Sequence, residues 1–160
     1  MLQRLSVILL LLASCSISGP LRVDKSAGAY FFPEAKSPWV QSPPSEGVEI
    51  LYVDKSGASI SVSSICERYE EASLETLARS ALSPITHFKE IETGELQLDG
   101  REAFQVFGSG KVDGVPVQID FVAWRKDDCL FDFSAQASPK LPARVRAEFL
   151  AMLKKFRYPK

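Results

Sequence analysis

From Glu102 to Ala135 the chain runs through three consecutive stretches of alternating apolar and polar residues. They are separated by Asp113-Gly114 and by Lys126-Asp127-Asp128. Period-two alternation puts successive side chains on opposite faces of a strand, and Asp-Gly is a preferred two-residue hairpin turn. An antiparallel meander follows. Phe104, Val106 and Val112 share a face of the first strand, and Val115, Val117, Ile119, Phe121 and Ala123 share one in the second, with Gln118 and Asp120 on its other side. In the third, Cys129, Phe131, Phe133 and Ala135 alternate with Leu130, Asp132 and Ser134. The expectation is a sheet with one apolar face that needs a cover. Gly108 and Gly110 lie inside a strand pattern, which suits a bulge or close packing rather than a phosphate loop, since that would open a helix.

The rest of the chain supplies further strands and the cover. Ala29-Tyr30-Phe31-Phe32 reads as a first strand ended by Pro33, and Glu34 to Gly47, rich in proline, as an extended loop in which Trp39 is expected to pack over the core edge, with an exposed contact residue as the alternative. Val48–Val53 and Ser59–Cys66 make a hairpin about Asp54-Lys55-Ser56-Gly57, with Ile60, Val62, Ser64 and Cys66 on one face. Ser73 is placed to cap a helix carrying Glu75 in its first turn and Leu74, Leu77, Ala78, Ala81 and Leu82 at helical spacing, stopped by Pro84. Phe88–Thr93 and Glu95–Leu98 read as weak strands or a tight hairpin about Gly94, followed by an Asp99-Gly100 turn. Pro142 sits near the start of a last helix whose stripe is Val145, Phe149, Met152 and Phe156, with Arg144, Arg146, Lys154 and Lys155 on or beside the other side. Two helices and some six strands predict an α+β layer structure.

The N-terminus decides the compartment. Arg4 precedes a nearly continuous apolar run from Leu5 to Ala13, shorter than the roughly 20 residues of a spanning helix. A basic start, a short apolar core and small residues make an export signal. Leu12-Ala13-Ser14-Cys15 resembles the bacterial lipobox, which implies cleavage before Cys15, a diacylglyceryl group on its thiol and fatty chains such as palmitate at the new terminus. An ordinary cleaved leader and an uncleaved anchor are the alternatives; the small residues around Cys15 suit the first, and the length of the run argues against the second. One acyl chain holds a protein marginally at a membrane and two or more hold it stably. Ser16 after the cysteine, rather than Asp, implies transfer to the outer membrane in a Gram-negative cell, facing the periplasm. The expected organisation is a signal peptide over 1–14, a tether over 15–27 and a single α+β domain over 28–160.

Removing residues 1–14 leaves 146, enough for one domain with a real core. That chain has 18 basic and 20 acidic residues, a net charge of −2 once Arg4 is gone, so it has no bulk field to attract nucleic acid. With Cys15 assigned to lipid, Cys66 and Cys129 remain, and in an exported protein such a pair favours a disulfide, with two buried thiols as the alternative. The loop closed would be about 63 residues, worth about 4 kcal/mol by chain entropy.

Leu98-Asp99-Gly100-Arg101-Glu102-Ala103, the Asp113-Gly114 hairpin and Asp128-Cys129-Leu130-Phe131-Asp132-Phe133 ahead of the last helix complete an order of elements that resembles small bacterial lipoproteins with a PsbP-like or DcrB-like domain. The resemblance covers about residues 28–158. It implies an antiparallel sheet flanked by helices, an α/β/α sandwich, and carries no activity with it.

Chemistry is sparse. His87 is the one histidine, so a Ser-His-Asp set would have to use it, and no Gly-x-Ser-x-Gly elbow is present. Beside Pro84 and Thr86 it reads as a loop or strand-end residue. His87, Cys66 and Cys129 have no zinc-ligand spacing. Asp54, Asp127 and Asp128 read as turn formers rather than calcium ligands, and Glu70-Glu71 as a solvated approach to the helix. The expectation is a non-enzymatic, lipid-anchored binding or structural module without metal or cofactor. A small hydrolase using His87 is the alternative, and a purely structural envelope protein the third reading.

Overall fold

A computed structural model describes residues 30–45, 47–66 and 72–158; the lipobox, Cys15, the 15–27 tether and Glu70-Glu71 lie outside the described residues. The strands are β1 (Val40–Ser42), β2 (Ile50–Val53), β3 (Ser59–Ile65), β4 (Thr86–Leu98), β5 (Arg101–Val112), β6 (Val115–Lys126) and β7 (Cys129–Ala137), and the helices are α1 (Leu74–Ala81) and α2 (Ala143–Leu153). They form one antiparallel sheet in the order β1-β2-β3-β7-β6-β5-β4. The fold is α+β, as the pattern predicts, with seven strands rather than six.

The meander is built by turn chemistry. Asp99-Gly100, Asp113-Gly114 and Asp127-Asp128 each connect neighbouring strands through two residues at positive φ, between 49° and 81°. This is the type I′ geometry that matches strand twist, and Asp tolerates it better than most residues with a Cβ. The expected break at Gly94 does not occur: β4 is one 13-residue strand paired through Gly94 opposite Gln105. Its irregularity lies instead at Thr86–Lys89 and Glu90–Glu92. There the strand folds over Gly108 and Gly110. A Cβ on Gly108 would stand 2.7 Å from the Lys89 carbonyl oxygen and 2.8 Å from Phe88 Cε2, and one on Gly110 would stand 2.5 Å from Ile85 Cγ2.

Two other expectations are corrected near the N-terminal edge. Of the aromatic run's described residues, Phe31 makes only an isolated bridge to Arg157 and none belongs to a sheet strand; Phe32 packs on Phe133 instead. The proline-rich loop contains a short edge strand, β1, and Trp39 beside it is buried.

Both faces of the sheet are apolar, not one. The face carrying Ile60, Val62, Phe131, Phe133, Val122 and Trp124 holds the main core, closed by α2, Phe32, Trp39 and Phe156. The other face packs Val106, Ile119, Phe121 and Ala123 under α1 through Ala78 and Leu82. Asp120, read as solvent-facing, is therefore fully buried on the α2 face. Arg146, read as lying on the outer side of its helix, turns in to meet it at 2.7 Å while stacking over Phe107 at 4.1 Å. Ser73 caps α1 as expected, accepting from the Thr76 amide at 3.1 Å. Arg79 pairs with Glu75 and with Glu90 and lies over Phe104, which ties α1 to the sheet.

Candidate functional site

The two helices cannot cover equal shares of their faces. At 1.5 Å per residue, the eight residues of α1 are about 12 Å long, whereas twelve-residue strands such as β5 and β6 run about 40 Å. Helix α1 sits on β5 and β6. Among the described residues no helix lies over the part of the same face formed by β2, β3 and β7, although Leu130 there is only 8 % exposed, and the register shows what it presents. Val40 lies across from Val53, then Ser59 and Gln136; Ser42 from Leu51, then Ser61 and Ser134; Ser63 from Asp132; Ile65 from Leu130. Ser61 Oγ and Ser134 Oγ are hydrogen-bonded at 2.8 Å. The result is a lane of hydroxyls and aliphatic side chains beside α1.

Apolar exposure concentrates on this face. Val40 is 66 % exposed, Ile65 45 %, Val112 44 % and Val115 54 %, and by register all four point to the α1 side; Phe31 and Ile91 are the exposed large hydrophobics elsewhere. Within the lane, burial pushes the Asp132 carboxyl up to about 6. The arrangement puts hydrogen-bond donors, acceptors and apolar area side by side, the groups of which macromolecular contacts are made.

The residues singled out from sequence are scattered. Cys66 and Cys129 are joined by a disulfide at the opposite end of the β3–β7 seam from Ser59, one rung beyond the Ile65–Leu130 pair. His87 sits exposed in the β4 irregularity at φ 54°. Asp127 and Asp128 form a turn. Asp54 organises its own turn: Oδ1 accepts from the Ser56 amide at 2.8 Å and the Ala58 amide at 3.1 Å, and Oδ2 from Arg144 at 2.6 Å. The Ser56 hydroxyl foremost, with Arg144 and the two amides, holds its carboxyl down at about 2 against the effect of burial. Among the described residues no group of three His, Cys, Asp or Glu side chains is placed to hold a metal, and no helix is long and apolar enough to cross a membrane.

Sequence reading missed the pair of Asp120 and Arg146, whose carboxylate also accepts from Gln105 at 2.6 Å. Burial pushes the Asp120 carboxyl up, and Arg146 and Gln105 oppose it. A signal existed: Asp120 is a lone acid inside Ile119-Asp120-Phe121-Val122-Ala123-Trp124. Asp132 likewise lies between Phe131 and Phe133.

No protein-family model matches the sequence, and no curated protein matches it. Solved structures do match the fold. LpqN, described as involved in cell envelope biogenesis of Mycobacterium tuberculosis, aligns over 86 % of this chain and 88 % of its own with a TM-score of 0.59 at 13 % identity. Cyanobacterial PsbP from Synechocystis sp. PCC 6803 aligns over 92 % and 99 %, with a TM-score of 0.55 at 12 % identity. The protein Mog1 aligns over 76 % and 87 %, with a TM-score of 0.57 at 16 % identity. At these identities the likeness concerns architecture, and the architecture of this chain is that of the PsbP-like α+β fold.

Proposed function

We propose that the protein is a lipid-anchored module of a bacterial cell envelope, held at the membrane, by preference the outer one, through Cys15 and facing the periplasm. It acts by binding an envelope protein through the uncovered part of the α1 face, without catalysing a reaction. The observation that carries the binding role is that four of the exposed large hydrophobics, Val40, Ile65, Val112 and Val115, point to that one face, on which a lane of serines also lies. Exposed apolar residues scattered singly need no explanation, and it is their bias to one face that supports a contact surface there. The lipobox residues support the anchor, and the Cys66–Cys129 bridge suits an oxidising compartment. The envelope role of LpqN, a neighbour in fold, points the same way.

Photo-crosslinking in intact cells tests this. Val40 and Gln41 are adjacent, exposed and on opposite faces of β1. A benzophenone side chain at Val40 is expected to give a discrete adduct and one at Gln41 none. In Cys15→Ser the protein should leave the membrane fraction and the adduct should fade. Equal labelling from the two positions, or no adduct from Val40, would overturn the docking face; a Cys15→Ser chain still in the membrane would overturn the anchor.

A further inference from the structure

On the α2 side of the sheet the chain that leads back to Cys15 leaves the domain beside an exposed aromatic ring and an exposed guanidinium. Phe31 and Arg157 exchange two backbone hydrogen bonds, at 2.8 and 3.0 Å, so they are direct partners. Direct partners of an antiparallel pair point to the same side, and their chain neighbours to the other. The neighbours turn in to the sheet: Tyr30 stands on Phe131 with ring centroids 5.1 Å apart, Phe32 on Phe133 at 5.8 Å and Phe156 on Phe133 at 5.0 Å. Phe31 and Arg157 therefore point away from the sheet, and they are 56 % and 61 % exposed.

Helix α2 supplies the rest of this outer layer. It buries Val145, Phe149, Met152 and Leu153. Ala147, Ala151 and Lys154 follow one another by four and three residues, which puts them in one row of the helix, and all three are exposed, as is Lys155. Lys154 keeps helical angles, φ −59° and ψ −22°, and its carbonyl accepts from Arg157 Nη1 at 3.0 Å, which joins the row to the Phe31–Arg157 pair. Among the described residues Lys154 and Lys155 have no ion pair. Arg157 Nε comes only within 3.9 Å of Asp99, whose other oxygen accepts from the Tyr158 amide at 3.0 Å. Glu148, half-buried, is the one acid of α2, and Asp127 and Asp128 belong to the β6–β7 turn, in the sheet layer. A chain of net charge −1 thus gathers three cations, two alanines and a phenylalanine on one outer surface.

The headgroup region of a bilayer takes up aromatic side chains and attracts Lys and Arg through its anionic lipids. The length of chain outside the described residues brings that occupant to this surface. Tyr30 stands fifteen positions after Cys15. Fifteen residues reach at most about 50 Å, so a lipid on Cys15 keeps Phe31 within that distance of the bilayer however the domain turns. At such a tether length the contact is in effect intramolecular, and a patch too weak to hold a free protein is still occupied.

We propose that the domain rests on the anionic lipids of its own membrane through Phe31, Lys154, Lys155 and Arg157, which turns the α1 face, on the other side of the sheet, away from the bilayer. The proposal rests on the lipid anchor at Cys15 and adds an orientation to it.

The test uses the lipidated protein, extracted from cell membranes and reconstituted on vesicles of phosphatidylcholine with about 30 % phosphatidylglycerol. A fluorescent NBD label is attached to Ala151→Cys or, on the opposite side of the sheet, to Val40→Cys, without reductant so that the Cys66–Cys129 bridge stays closed. Headgroup-level doxyl lipids are expected to quench the label at position 151 at least threefold more than the label at position 40. That excess should vanish on phosphatidylcholine alone and in Lys154→Glu with Lys155→Glu, and fall at least twofold in Phe31→Ser. It should also shrink between about 50 mM and about 500 mM NaCl, because exposed charges are screened by salt. Circular dichroism checks that each variant folds. Equal quenching of the two labels, or an excess indifferent to phosphatidylglycerol and to the substitutions, removes the proposal. Flotation and intact mass separate it from the anchor: protein that carries acyl groups and floats with the vesicles while the label at position 151 goes unquenched leaves the anchor standing without the resting surface, and protein without acyl groups on Cys15 brings down both.

Discussion

Asp132 and Asp54 carry the same carboxyl group and are driven in opposite directions by their surroundings. Burial alone acts on Asp132, raising it from 3.8 to about 6, so the folded state holds this proton more tightly than the unfolded chain does. The resulting cost is absent below pH 3.8, grows as the pH rises, and is fully present above about 6, where it amounts to about 3 kcal/mol as an upper estimate. Asp54, lowered from 3.8 to about 2, stabilises the fold above pH 3.8 and loses that contribution as the pH falls through 2. Asp132→Asn keeps the shape and removes the charge. It should stabilise the protein by about 1–3 kcal/mol at pH 7.5 and change little at pH 4. Urea denaturation at the two pH values checks this, and an equal midpoint shift at both would show that ionisation of Asp132 is not the source. Asp54→Ala should instead cost about 1–3 kcal/mol near neutrality, because the Ser56 and Ala58 amides and Arg144 lose their acceptor.

At the scale of elements, α2 is fastened by two arginines that look equivalent in sequence and differ in burial. Arg146, 25 % exposed, meets an Asp120 with no exposure, whereas Arg144, 53 % exposed, meets an Asp54 that is 2 % exposed but also accepts from the Ser56 and Ala58 amides. Truncating Arg146 leaves a buried carboxylate without its cation, and Arg146→Ala should cost about 3–5 kcal/mol. Arg144→Ala removes a partly solvated partner from a carboxylate that keeps its Ser56 and Ala58 donors, and should cost about 1 kcal/mol. Replacing the buried pair together, Asp120→Leu with Arg146→Met, should recover most of the loss, because neither charge is then stranded. Thermal or urea unfolding of the three variants settles the order; a double variant as weak as Arg146→Ala alone would mean that the pair also sets the seating of α2. These residues show where legibility in the sequence ends. The hairpins were readable because Asp-Gly turns and alternation act within a few residues, and α1 was readable from Ser73 and its stripe. Asp120 was misassigned because alternation counts a charge as facing water and cannot see an arginine 26 positions away. The lane beside α1 was not legible, because an eight-residue helix lying on part of a seven-stranded sheet is a relation of lengths that no local pattern encodes.

Across the whole molecule the sheet has one seam between distant parts of the chain. β1, β2 and β3 pair in sequence order, and so do β4, β5, β6 and β7; only β3 against β7 joins the two sets. Its partners run from Ser59 with Gln136 to Ile65 with Leu130, so every rung closes a loop that contains α1, β4, β5 and β6. Pairing of such separation brings its reward only after a large entropy cost has been met. Cys66 and Cys129 extend this same seam by one rung, with Cα atoms 3.9 Å apart and a sequence separation of 63. A crosslink there keeps the two sets together in the unfolded chain, which lowers the entropy of that state by the equivalent of about 4 kcal/mol. Cys66→Ala with Cys129→Ala should therefore lose about 2–4 kcal/mol, the lower end reflecting the thiol-free packing that remains around Cys129. The denaturant dependence should steepen, because the uncrosslinked chain expands further on unfolding. Amides of β3 and β7 should lose more protection against hydrogen exchange than those of β5 and β6, which belong to a locally connected meander. Urea unfolding of the oxidised protein against the double variant, with hydrogen exchange on both, measures all three effects. If protection fell evenly over the seven strands, the bridge would be stabilising the fold as a whole rather than its one long-range seam.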